Sequence, residues 1–378
     1  MLKVAIVGCG KIADDHLQQI RRIAECQIVG VCDRELLMAK QLAERFDVPL
    51  VFDDVSELLA NCQPHVVHIT TPPHTHFSLA IQCLNAGAHI YVEKPFTLTS
   101  EEARKVITTA DERGLKVTVG HDLQFSPGAR RLRELARAGY LGERPLHMES
   151  YYCYDLGDPR YAKALLADAD HWIRKLPGKL LQNVISHGIA RIAEFLAVDS
   201  PLVIAQGFTS AVLRQIGEND IVDELRVIVT DGSETTAYFT FSSQMRPLLN
   251  LFRIYGSANG IELDQERETV IRLPGERYKS FAEKFLPPFG IARQQVTNVA
   301  TNLRKFFAND FHAKAGMKYL IESFYDSIKG ELPVPIPYRE IVLTATIMDS
   351  IFAQLGPGFC KSVDIPVGEP VYPAPVIG

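Results

Sequence analysis

A glycine-rich turn near the start of this 378-residue chain constrains its fold more than any other stretch. The apolar run Lys3–Val7 leads into the turn, and helical spacing begins at Ile12. Between them, Gly8 would allow a tight turn, Gly10 would let the backbone approach a pyrophosphate, and Ala13 would let the helix pack close to the strand. The N–H groups that begin such a helix attract phosphate. The stretch therefore predicts a dinucleotide-binding site that includes Gly8, Gly10, Lys11, Ile12 and Ala13.

An acidic residue follows at the distance that such a site requires. Asp33 comes 23 positions after Gly10, at the end of the second apolar run, Gln27–Val31. A carboxylate there would hydrogen-bond the adenosine ribose and repel a 2′-phosphate, which favours NAD. The next residue, Arg34, could accommodate a 2′-phosphate, so NADP stays possible.

The first third of the chain alternates between apolar runs and segments with helical spacing. Short, continuously apolar strands between helices are typical of a parallel sheet that is covered on both faces. We therefore expect an α/β fold with an N-terminal Rossmann domain over residues 1–122. The strands are expected at Lys3–Val7, Gln27–Val31, Val66–Ile69, Ile90–Val92 and Val117–Val119, and the helices at Ile12–Ile23, Leu36–Phe46, Phe77–Asn85 and Thr99–Ala110.

The pattern changes after Asp122, where longer strands follow one another directly. Strands in succession predict an open, largely antiparallel sheet, which we assign to a second α/β domain over residues 123–363. Residues 364–378 contain several prolines and are expected to form an extended tail. The strands are expected at Leu146–Tyr154, Leu202–Phe208, Leu225–Val229, Thr235–Phe241 and Leu248–Tyr255. Helices are expected at Asn183–Leu196 and Arg339–Gln354, and a mostly helical stretch after Pro287-Pro288 to about Lys329.

Composition excludes several classes of function. A net charge of −5 without a basic block makes nucleic acid an unsuitable partner. No apolar stretch approaches the roughly 20 residues of a membrane span. Because the N-terminus runs straight into a strand pattern, we expect no signal peptide. The 7 cysteines are scattered without a CxxC pair, as in a reduced chain without structural zinc. We therefore expect a cytoplasmic protein with no metal site.

Three stretches carry a resemblance to a known family. They are "GCGKIA", "TPPHTHFSLAIQCLNAGAHIYVEKP" and "GKLLQNVISHGIARIAEFL", and the late segment "LIESFYDSIKGELPVP" adds to them. The chain resembles the Gfo/Idh/MocA oxidoreductases, named for glucose–fructose oxidoreductase and inositol dehydrogenase, over nearly its whole length except roughly residues 264–314. The resemblance implies a Rossmann domain and a second domain whose open sheet supplies the substrate face and often an oligomer interface. A homodimer or homotetramer is therefore expected.

The Glu93-Lys94-Pro95 element is the most specific part of that resemblance. It implies that Lys94 faces both the nicotinamide and the substrate hydroxyl, and that the Lys-Pro peptide is cis. It also brings further residues to the cofactor pocket. The cofactor-binding residues implied in this way are Thr71, Pro72, His76, Glu93 and Lys94. Read without the resemblance, Lys94 could instead form a surface ion pair with Glu93.

The resemblance also supplies a base. Members of the family usually carry an aspartate four residues before a histidine on one helix face, and here the pair is Asn183 and His187. The spacing would stack both side chains on one face. Because Asn183 is neutral, it cannot stabilise an imidazolium as a carboxylate would. We therefore expect Lys94 and His187 to be the catalytic pair, with a core histidine as the alternative for His187.

Substrate-binding residues are expected near the junction of the two domains. In "HDLQFSP", Asp122 and Gln124 replace an asparagine and an arginine that are common in the family. In "DADHWIRKLPG", Trp172 lies among cations and would suit a charged sugar, or would pack in an interfacial loop. The expected substrate is a sugar, a sugar derivative that could be nucleotide-linked, or a cyclitol. The expected substrate-binding residues are Lys94, Asp122, Gln124, Trp172, Asn183 and His187.

Two other functions are compatible with the same pattern. One is a non-oxidative enzyme that uses tightly held NAD to assist glycoside cleavage, and the other is a non-catalytic cofactor-sensing regulator. The phenylalanine-rich segment 281–311 also has two interpretations: core or subunit packing, and a helix for a membrane surface or a lipid-linked substrate.

Overall fold

A parallel six-stranded sheet forms the N-terminal part of the molecule. The computed structural model describes residues 1–156, 171–275, 278–279, 281–308, 310–312, 314–330 and 332–356. The strands lie in the order β3-β2-β1-β4-β5-β6, so β2 and β3 extend the sheet on one side of β1 and β4 to β6 extend it on the other. Every neighbouring pair is parallel. The strands are β1 Leu2–Val7, β2 Cys26–Cys32, β3 Val51–Phe52, β4 Val66–Ile69, β5 His89–Val92 and β6 Val117–Val119. The helices between them are α1 Lys11–Ile20, α2 Leu36–Phe46, α3 Val55–Cys62, α4 His76–Asn85 and α5 Ser100–Glu112.

Local sequence explains why these elements start where they do. Residues 4–7 of β1 and all of β4 are buried, because helices cover both faces of the sheet. Helix α5 begins after Thr99, whose Oγ1 accepts a hydrogen bond from the N–H of Glu102 at 3.2 Å. The Glu102 carboxylate in turn accepts from the N–H of Leu98 at 3.0 Å, so the two side chains cap the helix start reciprocally. The predicted Rossmann sheet is confirmed.

A mixed seven-stranded sheet forms the second layer, with the order β13-β12-β11-β7-β10-β9-β8. It is largely antiparallel, as predicted, except that β7 and β10 run parallel. Its strands are β7 Pro145–Cys153, β8 Leu202–Phe208, β9 Glu224–Thr230, β10 Thr236–Ser242, β11 Asn250–Gly256, β12 Asn259–Asp264 and β13 Thr269–Pro274. Strands β12 and β13 were not predicted, because each buries only two or three of its six residues.

The helices of the second half depart from prediction in two places. They are α6 Pro127–Arg137, α7 Lys179–Val184, α8 Ser186–Ala193, α9 Ala211–Gln215, α10 Ala282–Phe307, α11 Ala315–Gly330 and α12 Tyr338–Gln354. The prediction of a single helix over 183–196 is wrong, because the helix is interrupted at Ile185, between α7 and α8. Helix α10 contains Pro287 and Pro288 rather than beginning after them.

The phenylalanines of the segment 281–311 divide into two groups. Phe285, Phe289, Phe306 and Phe307 are 62–82% exposed, so the interpretation that they pack in this chain's own core is wrong. Phe311 is half-buried.

Helices from the end of the chain complete both hydrophobic cores. Helix α11 packs against α1 and contributes Leu320, Phe324 and Tyr325 to the core of the parallel sheet. Helix α12 contributes Ile341 to that core and Ile347 to the core of the mixed sheet. The end of the chain therefore ties the two sheets together. The domain boundaries at residues 122 and 363 stay predictions.

Some sequence-based expectations concern residues outside the described ranges. The extended tail 364–378, Cys360 and the residues Asp168–Asp170 of the tryptophan stretch belong to this group. Among the described residues, no helix has the length and apolar content that crossing a bilayer requires.

Candidate active site

The residues predicted to bind cofactor follow the carboxyl ends of the parallel strands. Gly8 has a φ of 98°, which favours glycine, and a Cβ there would lie 2.7 Å from the backbone nitrogen of Thr71. Gly10 caps α1, and the space that its Cβ would enter is open. Ala13, in the first turn of α1, is fully buried. Lys11 is exposed and Ile12 half-buried beside this turn. The open space above Gly10 and the start of α1 fit the pyrophosphate of a dinucleotide.

Asp33 is held at the mouth of the same turn. Its Oδ2 accepts a hydrogen bond from the N–H of Cys9 at 2.7 Å, and its Oδ1 accepts from the N–H of Glu35 at 2.9 Å. Backbone donors thus fix the carboxylate where β2 ends, beside the glycine-rich turn. The Arg34 side chain is 89% exposed and lies 3.7 Å from Glu35.

His76 lies under the loops that follow β4 and β5, where the cofactor is predicted to bind. It is fully buried, and its Nδ1 and Nε2 each lie 2.8 Å from a carbonyl oxygen, those of Pro95 and Thr71. The ring therefore joins the turn at Thr71-Pro72 to the Lys94–Pro95 peptide, which is cis as the resemblance implied. Both ring nitrogens are occupied by the protein, so His76 shapes the pocket from within the domain.

Lys94 crosses from the parallel sheet to the second domain. Its Nζ donates to the backbone oxygen of Asn183 in α7 at 2.9 Å. Burial lowers the pKa of this lysine, while the charges of Glu93 and Asp122 act to raise it. Glu93 itself points inward, where its Oε1 lies 3.0 Å from His16 Nε2. The Glu93 Oε2 accepts from the backbone N–H of Lys94 at 3.3 Å, so the carboxylate stays next to the lysine.

His187 lies beside Lys94 at the start of α8. Its ring centre is 5.8 Å from that of His121 and 5.9 Å from that of Tyr152. Burial, then the charge of Lys94, holds the pKa of His187 well below its usual value, so the imidazole is neutral and can accept a proton. Nδ1 of this ring has no hydrogen-bond partner among the described residues. A buried, unpartnered nitrogen in a cleft suits a ligand or a reaction step.

The carboxylate next to His187 comes from Asp122. Its Oδ1 lies 3.9 Å from His187 Nε2. Burial, reinforced by Glu93, raises the pKa of Asp122 to about 6. Asn183 lies in α7 and His187 in α8, on either side of Ile185, and the contact recorded for Asn183 uses its backbone; that the two side chains share one face stays a prediction. A carboxylate does accompany the histidine, but from a distant part of the chain.

Gln124 and Trp172 have different surroundings from those expected of substrate-binding residues. The Gln124 amide donates to the backbone oxygen of Ala190 and to Glu194, so it packs against α8. Trp172 lies in a short 3₁₀ turn, 5.4 Å from the His171 ring centre, and packs on the second core. The neighbouring Arg174 is paired with Glu218.

A cavity of about 610 Å³ opens near His187 and Asp122, and it was not predicted from the sequence. Aromatic and acidic side chains at the end of β7 line it, and one of them, Tyr152, has its ring centre 5.9 Å from that of His187. The alternating stretch "YYCYD" that forms one wall was the available sequence signal. The lining residues include Leu123, Tyr152, Tyr154, Asp155, Asn250 and Glu266. No group of three or more His, Cys, Asp or Glu among the described residues could hold a metal ion.

Comparison with known proteins supports the family suggested by the sequence. Residues 2–121 match the Gfo/Idh/MocA model, described as an oxidoreductase family with an NAD-binding Rossmann fold. The chain is 34% identical over 143 residues to D-glucoside 3-dehydrogenase of Escherichia coli, over 38% of this chain and 41% of that protein. That alignment therefore spans about two fifths of the relative's length.

Longer but weaker similarities cover most of the chain. The 4-carboxy-2-hydroxymuconate-6-semialdehyde dehydrogenase of Sphingobium sp. is 29% identical over 71% of this chain and 89% of its own length. The WlbA dehydrogenase of Bordetella pertussis, solved with NADH and UDP-GlcNAcA, superposes with a TM-score of 0.73 at 15% identity, over 94% of this chain and 96% of that one. At that identity the likeness concerns the fold alone. The family match assigns residues 2–121 to the NAD-binding Rossmann fold of the Gfo/Idh/MocA oxidoreductases, and the two-sheet fold agrees with it.

Proposed function

We propose that this protein is an NAD(P)-dependent dehydrogenase that transfers a hydride between nicotinamide and a secondary hydroxyl of a sugar, a sugar derivative or a cyclitol. The observation that carries the proposal is at the carboxyl edge of the parallel sheet, where Lys94 reaches the backbone of Asn183 and Asp122 lies 3.9 Å from His187 Nε2. Ligands of open α/β sheets bind at this edge. A cation, a neutral imidazole and a carboxylate there can accept and donate a proton next to a bound dinucleotide.

The cofactor fits the residues that are present. The open space above Gly10 and the N-terminus of α1 would hold the pyrophosphate, and Asp33 would hold the adenosine ribose. Thr71 and Pro72 would line the nicotinamide side of the pocket. When bound, NAD supplies the hydride acceptor.

The protein's own residues would manage the proton and the charge. Lys94 would donate a hydrogen bond to the substrate oxygen and stabilise alkoxide character as the C–H bond breaks. His187, neutral and with a free Nδ1, would accept the hydroxyl proton, directly or through a water. Asp122, 3.9 Å from this ring, would stabilise the imidazolium that forms. The alcohol would lose a hydride and a proton and become a ketone, and the reverse sequence would reduce a ketone.

The cavity beside His187 favours a polar ring as substrate. Tyr152 and Tyr154 can stack against a ring face, and Asp155 and Glu266 can accept hydrogen bonds from hydroxyl groups. The E. coli relative is named for action on a D-glucoside, and the Bordetella structure contains a nucleotide-linked sugar acid. Assembly as a homodimer or homotetramer in the cytoplasm is part of the same proposal.

The test is the absorbance of reduced nicotinamide. The purified protein would be mixed with NAD, and separately with NADP, and with free sugars, sugar acids, inositols and nucleotide sugars. Growth of the band with one class, and its absence with Lys94→Ala, would establish the dehydrogenase. No signal across the panel, with NAD binding confirmed by calorimetry, would favour NAD-assisted glycoside cleavage or a cofactor-sensing regulator instead. Release of a free sugar from a glycoside would then separate those two.

A further inference from the structure

A line of hydrogen-bonded polar side chains runs from the candidate site into the interior of the Rossmann domain. Glu93 Oε1 lies 3.0 Å from His16 Nε2. His16 Nδ1 lies 2.8 Å from His68 Nδ1, and His68 Nε2 lies 2.7 Å from the hydroxyl of Tyr325. The four groups come from the end of β5, from α1, from β4 and from α11. None of the three inner residues has a part in the proposed reaction or was singled out in the sequence.

One arrangement of protons satisfies all three contacts when both imidazoles are neutral. A Glu93 carboxylate can only accept, so His16 Nε2 carries the proton and His16 Nδ1 is an acceptor. His68 must then donate from Nδ1, which leaves its Nε2 to accept from the Tyr325 hydroxyl. The charge at Glu93 therefore sets the direction of every bond in the line.

We propose that Tyr325, His68 and His16 are positioning residues that hold Glu93 as a carboxylate next to Lys94, and that Lys94 depends on this chain for its charged form. The proposal deepens the proposed function, because it rests on Lys94 acting there as a cation. It assigns a role to three buried residues that lie away from both cofactor and substrate.

Burial is the reason such a chain is needed. His16, His68 and Tyr325 are 0% exposed and Glu93 is 7% exposed, so water cannot substitute for a missing partner. A buried carboxylate without donors takes up a proton. His16 supplies the donor to Oε1, whereas the one donor to Oε2 among the described residues is the backbone N–H of Lys94 at 3.3 Å. The His16 bond is therefore the main stabiliser of the charged form.

The surroundings hold the rings and the carboxylate in place. The Tyr91 ring stacks on His68, with centres 4.6 Å apart and an interplanar angle of 6°, and meets the His16 ring edge-on at 5.1 Å. On the other side, a Cβ at Gly120 would come within 2.5 Å of Glu93 Oε1. The carboxylate therefore fits between His16 and the end of β6 with no room for another group.

The charges that face Lys94 show why the state of Glu93 matters. Glu93 and Asp122 raise the pKa of Lys94, whereas burial and the charge of Lys314 lower it. Lys314 is itself paired with Asp15 at 3.1 Å. Loss of the Glu93 charge would leave Asp122 alone to oppose burial and Lys314. The same loss would lower the pKa of Asp122, because Glu93 raises it.

Nitrogen NMR of the NAD-free protein tests the direction of the chain without any enzyme assay. With ¹⁵N-labelled histidine, His16 should be protonated at Nε2 and not at Nδ1, and His68 at Nδ1 and not at Nε2. His16→Gln would assign the His16 signals by their disappearance. Tyr325→Phe should change the His68 Nε2 shift and leave His16 protonated at Nε2. Protonation of His68 at Nε2, or of both nitrogens on either ring near neutral pH, would overturn the proposed chain.

Two substitutions at position 16 test the role in the reaction. His16→Phe keeps a ring and removes the donor, whereas the amide of His16→Gln can still donate to Glu93. In the phenylalanine variant the pH profile of kcat/KM should shift to lower pH. The acid limb follows Asp122 and the alkaline limb follows Lys94, and the pKa of each falls when the Glu93 charge is lost. The glutamine variant should return both limbs towards their original positions.

Thermal unfolding of each variant shows that it is folded. A phenylalanine profile that is lower in height but unchanged in position would refute the positioning role. If the wild type has no dehydrogenase activity, the proposed function fails and the NMR result still decides whether the directed chain exists.

Discussion

Replacing Asp122 by asparagine should cost about 30-fold in turnover while leaving the shape of the site nearly unchanged. The carboxylate lies 3.9 Å from His187 Nε2. Two unit charges at that distance interact by about 4 kcal/mol at an effective dielectric constant of about 20. If about half of the imidazolium charge has developed in the transition state, the loss is about 2 kcal/mol, or roughly 30-fold in rate.

The assay is the initial rate of nicotinamide reduction with the substrate found in the panel, followed from pH 5 to 9. Burial raises the pKa of Asp122 to about 6, so wild-type activity should fall as the pH drops through about 6 and the carboxylate takes up a proton. The Asp122→Asn variant should lack this acid limb and show lower kcat with a similar KM. Asp199→Asn is the matched control, because Asp199 forms an exposed pair with Arg339 on the surface. A kcat for Asp122→Asn within about threefold of wild type, with the acid limb intact, would refute the reasoning.

Three further substitutions probe the other parts of the site. Lys94→Ala should lower kcat by roughly 10²–10³-fold because it removes the donor to the developing alkoxide, with NAD affinity by calorimetry nearly unchanged; equal loss of NAD affinity would make Lys94 a cofactor ligand only. Asp33→Ala should weaken NAD by about 10-fold or more and NADP less, and an equal loss for both would undo the ribose assignment. Gly8→Ala should reduce the free energy of unfolding by about 1–3 kcal/mol in urea titration, because φ is 98° and the new methyl meets the backbone at Thr71; unchanged stability would mean that the turn adjusts.

The parallel sheet was predictable because its strands are buried on both faces. Five of its six strands appear in the sequence as short, mostly apolar runs, and the predicted β4 and β6 have the observed bounds, whereas the two-residue β3 was not predicted. Helix α3 was missed although Asp54 caps it by accepting from the N–H of Glu57. Strand β12 was missed because charged residues alternate with its buried apolar ones, and β13 because it buries only Val270 and Ile271.

The candidate site was only partly predictable, because local patterns do not reveal which distant residues meet. Lys94 follows a recognisable strand, and its position at the sheet edge follows from that strand. The proximity of Asp122 and His187 depends on how the second domain folds back on the first, which no spacing encodes. His68 was a weak sign of a buried network, since a histidine in the apolar run "VVHI" must find polar partners inside the protein.

The late completion of the first core has a consequence for synthesis of the protein. The sheet built from residues 2–119 needs Leu320 and Phe324 of α11 and Ile341 of α12 to cover it. At about 5–20 residues per second, the ribosome needs roughly 10–45 s to make the intervening stretch. Throughout that time the nascent sheet exposes apolar surface that α11 later covers. Faster elongation, or substitutions that make α11 less apolar, should therefore change the yield of folded protein before they change its activity.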